Sequence, residues 1–198
     1  AFPSEPGVVI PLFRKEFTMR VIAGKAKGIQ LNTPEGMLTR PTTDRVKEAL
    51  FSIIQFDLPG AKVLDLFGGT GQLGIEAISR GASSAVFVDS RREACQLIRT
   101  NLEKTHFEKQ GRVVQSDYME FLNRAKETFG VILLDPPYAE IYLENALKRI
   151  TEIDILQSGG IIVAERPLGK ELPWEFDGFT RSRDYKYGKI LLTVYRKN

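Results

Sequence analysis

A short apolar run that leads into a glycine-rich turn is the feature that most constrains the fold of this chain. Residues 63–66 are apolar apart from Asp65, residues 67–71 contain three glycines, and a helical pattern begins at Gln72. Glycine admits the sharp backbone turn through which a buried strand runs directly into a helix. Open α/β sheets bind their ligands at such turns. The segment therefore predicts an α/β fold with a ligand site at the carboxyl ends of its strands.

Strand and helix patterns alternate on both sides of this turn. Apolar runs predict strands over residues 63–66, 85–88, 112–115, 131–134 and 161–164, and amphipathic stretches predict helices over residues 72–80, 91–103, 118–124 and 141–153. Such alternation builds a parallel sheet with helices on both faces. Two consecutive strand patterns, at residues 179–185 and 189–195, predict a C-terminal antiparallel hairpin. We therefore predict a Rossmann-like, mostly parallel seven-stranded sheet.

The segment before the sheet has patterns of its own. Residues 20–24 and 28–31 predict a small N-terminal β-hairpin with a basic turn, followed by a loop at residues 33–37. Apolar residues from Val46 to Ile54 recur at helical spacing. They predict a helix with a Thr or Asp N-cap that ends near residues 57–60.

Positive charge is concentrated in this first part of the chain. The net charge of the whole protein is +3, while residues 14–47 carry eight basic and three acidic side chains, a net charge of +5. The asymmetry indicates either a polyanionic partner or a solvated charged surface, and charge counts do not separate the two.

Composition excludes several kinds of site. The 198 residues include one cysteine, Cys95, and one histidine, His106. Disulfide frameworks, zinc fingers and His-rich metal sites need more ligands than these, so we expect no metal and a reducing, cytoplasmic setting. No apolar stretch approaches the roughly 20 residues of a membrane-spanning helix, so we expect no membrane span.

Acidic residues around the glycine turn indicate which ligand it binds. Gly69, Gly71 and Gly74 satisfy the G-x-G-x-x-G pattern of dinucleotide sites, and Asp89 follows Gly69 by 20 residues. This pattern alone favours a nicotinamide-dependent oxidoreductase. Asp65, however, lies at the strand tip, where it opposes an anionic pyrophosphate and suits a cationic ligand such as S-adenosylmethionine.

Two further acids follow predicted strands. Asp89 is placed to accept hydrogen bonds from ribose hydroxyls, and Asp117 from the amino group of adenine. The alternative is that both carboxylates cap the helices that follow them.

The tetrapeptide Asp135-Pro136-Pro137-Tyr138 follows the fourth predicted strand. The lone pair of an exocyclic amine on a nucleobase is delocalised into the ring, so an enzyme that methylates it must hold the nitrogen in a pyramidal geometry. The Asp135 carboxylate and the Pro136 carbonyl can accept the two N–H bonds and thereby aim the lone pair. The prolines stiffen this loop. Tyr138 offers a flat face on which an extruded base can stack.

These motifs together resemble the bacterial RsmD family, the small-subunit (16S) ribosomal RNA guanine-N2 methyltransferases with the class I, S-adenosylmethionine-dependent fold. The resemblance covers the chain from Met19 to Tyr195, and its most specific part is RPTTDRVKEALF at residues 40–51, which general adenine methyltransferases lack. It implies S-adenosyl-L-methionine as cofactor and a guanine of the guanine-966 type as target. Residues 1–18, which contain three prolines and mixed charges before Met19, are expected to be a leader or flexible extension. The resemblance implies one methyltransferase domain at residues 19–198, with a basic hairpin and loop to residue 40 and the catalytic core from residue 41.

The resemblance also implies roles for individual residues. Residues near the methionine end of the cofactor would be Arg40, Thr42 and Thr43, and those that bind the rest of it Asp65, Phe67, Gly69, Gly71, Asp89, Ser90, Asp117 and Tyr118. Phe67 stands where many methyltransferases have the first glycine of the motif. The catalytic loop would be Asp135, Pro136, Pro137 and Tyr138. RNA phosphates would be held by Arg20, Lys25, Lys27, Arg45 and Lys47.

Other functions remain open at the level of sequence. The Asp-Pro-Pro-Tyr motif also serves adenine-N6 methyltransferases of DNA or RNA, and the related Asn-Pro-Pro-Tyr serves protein glutamine methylation. An oxidoreductase and a noncatalytic RNA-binding module are the other candidates. We expect a monomer that acts on ribosomal RNA, either free or within an assembling small ribosomal subunit.

Overall fold

The computed structural model describes residues 19–35, 41–137 and 139–198, which form one eight-stranded sheet flanked by five helices. In chain order the elements are α1 (Pro41–Ile53), β1 (Lys62–Asp65), α2 (Gln72–Ser79), β2 (Ser84–Asp89), α3 (Arg92–Thr105), β3 (Gly111–Gln115), α4 (Tyr118–Arg124), β4 (Phe129–Leu134), α5 (Ala139–Ile153), β5 (Leu156–Pro167), β6 (Glu175–Phe176), β7 (Phe179–Tyr187) and β8 (Ile190–Lys197). Within these ranges, no helix combines the length and the apolar character that crossing a membrane requires.

The order of the strands across the sheet is β3-β2-β1-β4-β5-β8-β7-β6. The first five of these are parallel, and β8 lies antiparallel between β5 and β7. The parallel sheet and the C-terminal antiparallel hairpin are confirmed. The predicted count of seven strands is wrong by one, because β6 has only two residues and pairs at the edge of β7. A two-residue strand is too short to produce an alternating pattern.

Neighbouring residues along the central strands face opposite sides of the sheet. Val131 and Leu133 pack with α1, α2 and α3, while Ile132 and Leu134 pack with α4 and α5. Because both faces are covered, the central strand β4 is apolar along its whole length, and the parallel strands β1, β2 and β5 have buried apolar stretches. This is why short continuous apolar runs identified the strands correctly.

The N-terminal segment is less regular than predicted. The expected β-hairpin has a single antiparallel bridge, between Arg20 and Gln30, with further backbone hydrogen bonds from Val21 to Ile29 and from Leu31 to Met19. Its apolar side chains belong to the same buried cluster as those of α1, α2 and α3. The segment is therefore packed onto the sheet assembly and does not project from it.

Helix α1 begins earlier than its predicted cap. Pro41 is its first residue and Asp44 lies in its first turn, so the predicted Thr or Asp N-cap is wrong. Proline is well suited to the first helical position, since the N–H that it lacks has no partner within the helix there.

The buried carboxylate of Glu76 fixes the N-terminal segment to α2. It is fully buried and accepts hydrogen bonds from the backbone N–H groups of Ile22 at 2.9 Å and Ala23 at 3.0 Å, and from Nε of Arg80 at 2.8 Å. The ammonium of Lys47 lies 3.9 Å from the same carboxylate and donates to the carbonyl of Arg20 at 2.7 Å. A buried charge of this kind is stable only when it is paired and hydrogen-bonded.

A second buried side chain ties the following loop to the glycine turn. Asn101 on α3 accepts a hydrogen bond from the N–H of Asn32 at 2.7 Å. Its amide nitrogen donates to the carbonyls of Asn32 at 3.0 Å and Thr70 at 2.8 Å. The position of the turn is thus linked to that of the N-terminal segment.

Candidate functional site

A cavity of about 380 Å³ lies at the carboxyl ends of β1, β2, β3 and β4. Its walls include most of the residues predicted to bind the cofactor, namely Asp65, Phe67, Gly69, Asp89, Ser90, Asp117 and Tyr118, together with Asp135, Pro136 and Pro137. The loops after four different strands meet here because the strands are parallel. We call this space the cofactor cavity.

The glycine turn forms the floor of the cofactor cavity. Gly69 has φ of 59°, in the left-handed region, and a Cβ added there would approach only the Phe67 carbonyl at 3.9 Å, so its open side faces the cavity. Gly71 does not line the cavity. It precedes α2 with φ of 81°, and an added Cβ would meet the Ile98 side chain at 3.1 Å. Gly71 therefore shapes the turn and does not border the ligand space directly.

Asp65 is a buried residue in the wall of this cavity, and the hydrogen-bonding capacity of its carboxyl is only partly used. Its Oδ2 accepts a hydrogen bond from the N–H of Gly74 at 3.1 Å, while Oδ1 is buried without a partner among the described residues. Burial, with smaller contributions from Asp135 and Asp89, raises the pKa of Asp65 to about 8. A cationic group bound here would supply the missing partner and favour the ionised carboxylate. The donor set thus fits S-adenosylmethionine, which carries positive charge.

Asp89 connects the loops that follow β1 and β2. Its Oδ2 accepts a hydrogen bond from the N–H of Gly69 at 3.0 Å, and its Oδ1 accepts one from the N–H of Arg91 at 2.9 Å. The Arg91 guanidinium also donates to both oxygens. Arg91, not Asp89, holds the N-cap position of α3, so the capping alternative for Asp89 is wrong.

Asp117 is the N-cap of α4, as the capping alternative predicted. One carboxylate oxygen, Oδ1, accepts hydrogen bonds from the N–H groups of Met119 at 2.8 Å and Glu120 at 3.2 Å. The residue also lines the cofactor cavity. Capping fixes the direction of this carboxylate, which is compatible with a second contact to a ligand.

Three aromatic rings form one wall of the cofactor cavity. The ring centroid of Tyr118 lies 5.3 Å from those of Phe67 and Tyr142, and the Phe67 and Tyr142 centroids are 6.0 Å apart. Sequence reasoning missed Tyr142, which lies on α5. No local pattern indicates that this helix packs its first turn against the loop after β3.

The predicted catalytic loop begins where β4 ends. Pro136 is buried, Pro137 is exposed, and burial raises the pKa of Asp135 to about 6. Asp135 also borders a second cavity of about 490 Å³, together with Glu165, Tyr187 and Lys189. We call this space the second cavity. Asp135 thus stands between two ligand-sized spaces.

Two predicted site residues, Arg40 and Tyr138, lie outside the residues that the structure describes. Thr42 and Thr43 belong to the first turn of α1, but their side chains are not described. Their predicted roles stay predictions.

Of the five basic residues predicted to hold RNA phosphates, four are exposed and one is buried. Lys25, Lys27, Arg45 and Arg20 are exposed, and Arg20 lies 3.8 Å from the carboxylate of Asp44. The prediction that Lys47 holds RNA phosphate is wrong: its side chain is 2% exposed and is committed to Glu76 and the Arg20 carbonyl. Burial also lowers the pKa of Lys47.

The turn that carries Lys25 and Lys27 lies far from the glycine turn. The N–H of Lys25 donates to the carbonyl of Ser79 at 2.8 Å, at the C-terminal end of α2. Gln72, at the other end of α2, lines the cofactor cavity. Seven residues of helix span about 10 Å. Lys25 and Lys27 therefore lie at the end of α2 that is away from the cofactor cavity.

Known proteins resemble this chain over about nine-tenths of its length, in sequence and in structure. A family model described as conserved hypothetical protein 95 matches residues 19–196. "Putative rRNA methyltransferase YlbH" of Bacillus subtilis (strain 168) is 41% identical over 182 residues, which are 90% of this chain and 99% of the relative. "Ribosomal RNA small subunit methyltransferase D" of Escherichia coli (strain K12) is 31% identical over 179 residues, 90% of either chain. The solved structure "Putative methyltransferase yhhF" from Escherichia coli has a TM-score of 0.83 at 28% identity and covers 91% of this chain and 98% of its own.

Proposed function

Because the chain belongs to the family of conserved hypothetical protein 95, the RsmD family, which includes small-subunit ribosomal RNA methyltransferases, we propose that it methylates the exocyclic N2 amine of a guanine in 16S ribosomal RNA. The methyl donor is S-adenosyl-L-methionine. The observation that carries the proposal is the position of Asp135, which borders both the cofactor cavity and the second cavity. A group that touches both spaces can act on an amine held in one while the donor occupies the other.

Different residues of the cofactor cavity contact different parts of the methyl donor. Asp65 faces its positive charge, Asp89 accepts hydrogen bonds from ribose hydroxyls, and Asp117 accepts one from the adenine amino group. The adenine ring packs against Phe67 and Tyr118. When bound, S-adenosyl-L-methionine would supply a methyl group on a positively charged sulfur, whose carbon the amine lone pair can attack while the S–C bond breaks and its electron pair returns to the sulfur.

The catalytic loop prepares that amine. The Asp135 carboxylate and the Pro136 carbonyl accept its two N–H bonds, which hold the nitrogen pyramidal and direct its lone pair toward the cofactor cavity. With its pKa raised to about 6, Asp135 is mostly ionised at neutral pH and is well matched to hold the proton that the methylated amine releases. Direct transfer to an extruded base needs no covalent enzyme intermediate.

Mass spectrometry tests the proposal. Small ribosomal subunits from a strain that lacks this gene are incubated with the protein and labelled S-adenosylmethionine, and the digested nucleosides are analysed. We expect N2-methylguanosine in the small-subunit RNA. N6-methyladenosine would move the chemistry to a different base, and the absence of transfer to any nucleic acid would overturn the proposal.

We further propose that the protein acts as a monomer in the cytoplasm, where assembling subunits are available.

Asp65 gives cofactor binding a pH dependence. Its raised pKa of about 8 leaves it largely protonated at pH 7 in the free protein, and a cationic ligand favours the ionised form, so binding releases a proton. The affinity therefore rises with pH, by at most about tenfold per pH unit, and levels off above about pH 8. Calorimetric titration of the unmodified protein and of Asp65→Asn over this range measures the effect.

The comparison with Asp65→Asn isolates this carboxyl, because the amine of S-adenosylmethionine titrates equally with both proteins. The asparagine side chain retains an oxygen that can accept the hydrogen bond from Gly74. We expect the variant to bind more weakly, by about 10- to 100-fold, and to lack the gain in affinity with pH. Equal slopes for the two proteins would remove Asp65 as the counter-charge of the cofactor.

The exposed lysines of the N-terminal turn are expected to contribute to RNA affinity and not to chemistry. Each neutralised phosphate releases a counterion, so affinity for RNA falls as salt rises. Lys25→Ala with Lys27→Ala should weaken RNA binding and make the negative slope of log affinity against log salt less steep, by between about one and two. The kcat at saturating RNA should be unchanged, since both lysines lie far from the cofactor cavity. Lys109→Ala with Lys148→Ala, two exposed lysines elsewhere, is the control. A salt slope equal to that of the unmodified protein would exclude phosphate contacts by Lys25 and Lys27.

A further inference from the structure

Two carboxyl groups stand side by side at the end of the second cavity. Leu134 of β4 pairs with Ala164 of β5, and the next residues along these parallel strands are Asp135 and Glu165. Paired strands are about 4.8 Å apart, and equivalent positions face the same side of the sheet. Both residues line the second cavity. Its inner end therefore presents two sets of oxygen acceptors close together.

No cationic side chain among the described residues is paired with these two carboxyls. Within the described ranges, neither Asp135 nor Glu165 belongs to an ion pair. Of the two lysines that line the cavity, Lys47 is committed to Glu76, and Lys189 is exposed at the rim. Burial, and then the neighbouring Asp135, raises the pKa of Glu165 to about 8. A ligand that donates hydrogen bonds would satisfy these acceptors and favour their ionised forms.

The rest of the second cavity fits a flat, partly apolar ligand. Val46 and Leu50 of α1 face it from one side, and Ile190 and Tyr187 of the C-terminal hairpin from another. Gln72 lies at the junction with the cofactor cavity, and its amide oxygen is buried with no hydrogen-bond partner among the described residues. This oxygen is a third acceptor at the same end of the space. Apolar walls with a few convergent polar groups are typical of a site that orients one ring.

The nucleobases differ in what they offer to adjacent acceptors. The Watson–Crick edge of guanine carries hydrogen-bond donors on two neighbouring atoms, the N1–H and the N2 amine. On adenine and cytosine the exocyclic amine instead lies beside a ring nitrogen that accepts. When a bound donor favours their ionised forms, two carboxylates side by side only accept hydrogen bonds and match guanine, whereas the acceptor nitrogen of adenine or cytosine would require one of them to stay protonated.

We propose that Glu165 is the residue that selects guanine: its carboxyl accepts the N1–H of the flipped base, while Asp135 accepts from the N2 amine beside it. This rests on the proposed guanine-N2 activity and adds the group that recognises the base. Glu165 also positions the amine, since fixing N1 fixes the direction of N2. Loss of an acceptor for a buried donor typically costs about 10- to 100-fold in kcat/KM.

Replacement of the N1 proton by a methyl group tests this contact. Mass spectrometry of nuclease fragments of the methylated RNA first locates the modified position, and small subunits are then reconstituted from ligated 16S RNA that carries either guanine or 1-methylguanine there. The unmodified protein should methylate guanine at least about 100-fold better than 1-methylguanine, whose methyl group has no donor and collides with Glu165. In Glu165→Ala we expect guanine methylation to fall about 10- to 100-fold and 1-methylguanine methylation to rise, because the shorter side chain makes room for the methyl group.

A conservative variant separates hydrogen bonding from charge and from general damage. Glu165→Gln keeps an oxygen that can accept the N1–H, so its kcat/KM on guanine should be within about tenfold of the unmodified protein and well above that of Glu165→Ala. Glu171→Gln, an exposed carboxyl on the following loop, is the matched control. Cofactor binding should be unchanged in all three variants.

The outcomes distinguish this inference from the proposed function. If the unmodified protein produces no N2-methylguanosine, both fail. If it does, but Glu165→Ala lowers transfer to guanine and 1-methylguanine by the same factor, the proposed function stands and the role of Glu165 is overturned. A guanine preference that collapses only in Glu165→Ala, with rescue by glutamine, supports the contact.

Discussion

We expect Asp135→Ala to abolish methyl transfer, with kcat reduced at least about 10³-fold, while the affinity for S-adenosylmethionine stays within a few-fold of the unmodified protein. In the proposed mechanism, alanine removes the acceptor that would hold the amine pyramidal and the group that would receive its proton. The other proposed contacts of the donor, at Asp65, Asp89 and Asp117, are untouched.

Two measurements on the same samples check this result. Calorimetry with S-adenosylmethionine shows that the variant is folded and retains the cofactor cavity, and single-turnover transfer into small ribosomal subunits gives the rate of the chemical step. Asp177→Ala, a change at an exposed carboxyl near β6, is the control and should be fully active. Transfer by Asp135→Ala at more than a tenth of the normal rate would disprove the catalytic assignment.

Glu76→Ala destabilises the protein by about 3–5 kcal/mol, the largest loss of stability that we expect from a single side chain here. The change leaves the backbone N–H groups of Ile22 and Ala23 without their acceptor. It also leaves the buried ammonium of Lys47 without its negatively charged partner. Unfolding in urea measures the free-energy difference. Glu76→Gln should lose less, because its amide oxygen can still accept one of the N–H bonds.

An exposed glutamate gives the matched control for that measurement. Glu103→Ala, near the end of α3, should change the free energy of unfolding by no more than about 0.5 kcal/mol. If Glu76→Ala were no more destabilising than Glu103→Ala, the buried network would not hold the N-terminal segment in place.

The parallel sheet and the cofactor cavity could be predicted because both follow from local sequence. Residues 131–134 form a continuous apolar run since successive side chains enter the two separate cores. Polar residues that follow parallel strands must meet at one edge of the sheet, which is how Asp65, Asp89 and Asp117 were placed together correctly.

Long-range partners could not be predicted in this way. Glu76 contacts Ile22 across 54 residues, and nothing in a charged residue within a helical pattern indicates that it is buried. For the same reason Lys47 was placed at the RNA-binding surface, since charged residues are most often exposed. Glu165 was missed because its significance depends on the register between β4 and β5, which brings it beside Asp135.

The hydrogen bonds that join the N-terminal segment to α2 and α3 limit how this protein can be re-engineered. The N-terminal segment cannot simply be transferred to another enzyme. Without Glu76 and Asn101, its backbone N–H groups at Ile22 and Asn32 would lose their hydrogen-bond acceptors. Any exchange of this segment between related enzymes must carry both of those acceptors along. Because the Asn101 side chain also donates to the Thr70 carbonyl, a poorly matched graft would disturb the glycine turn itself.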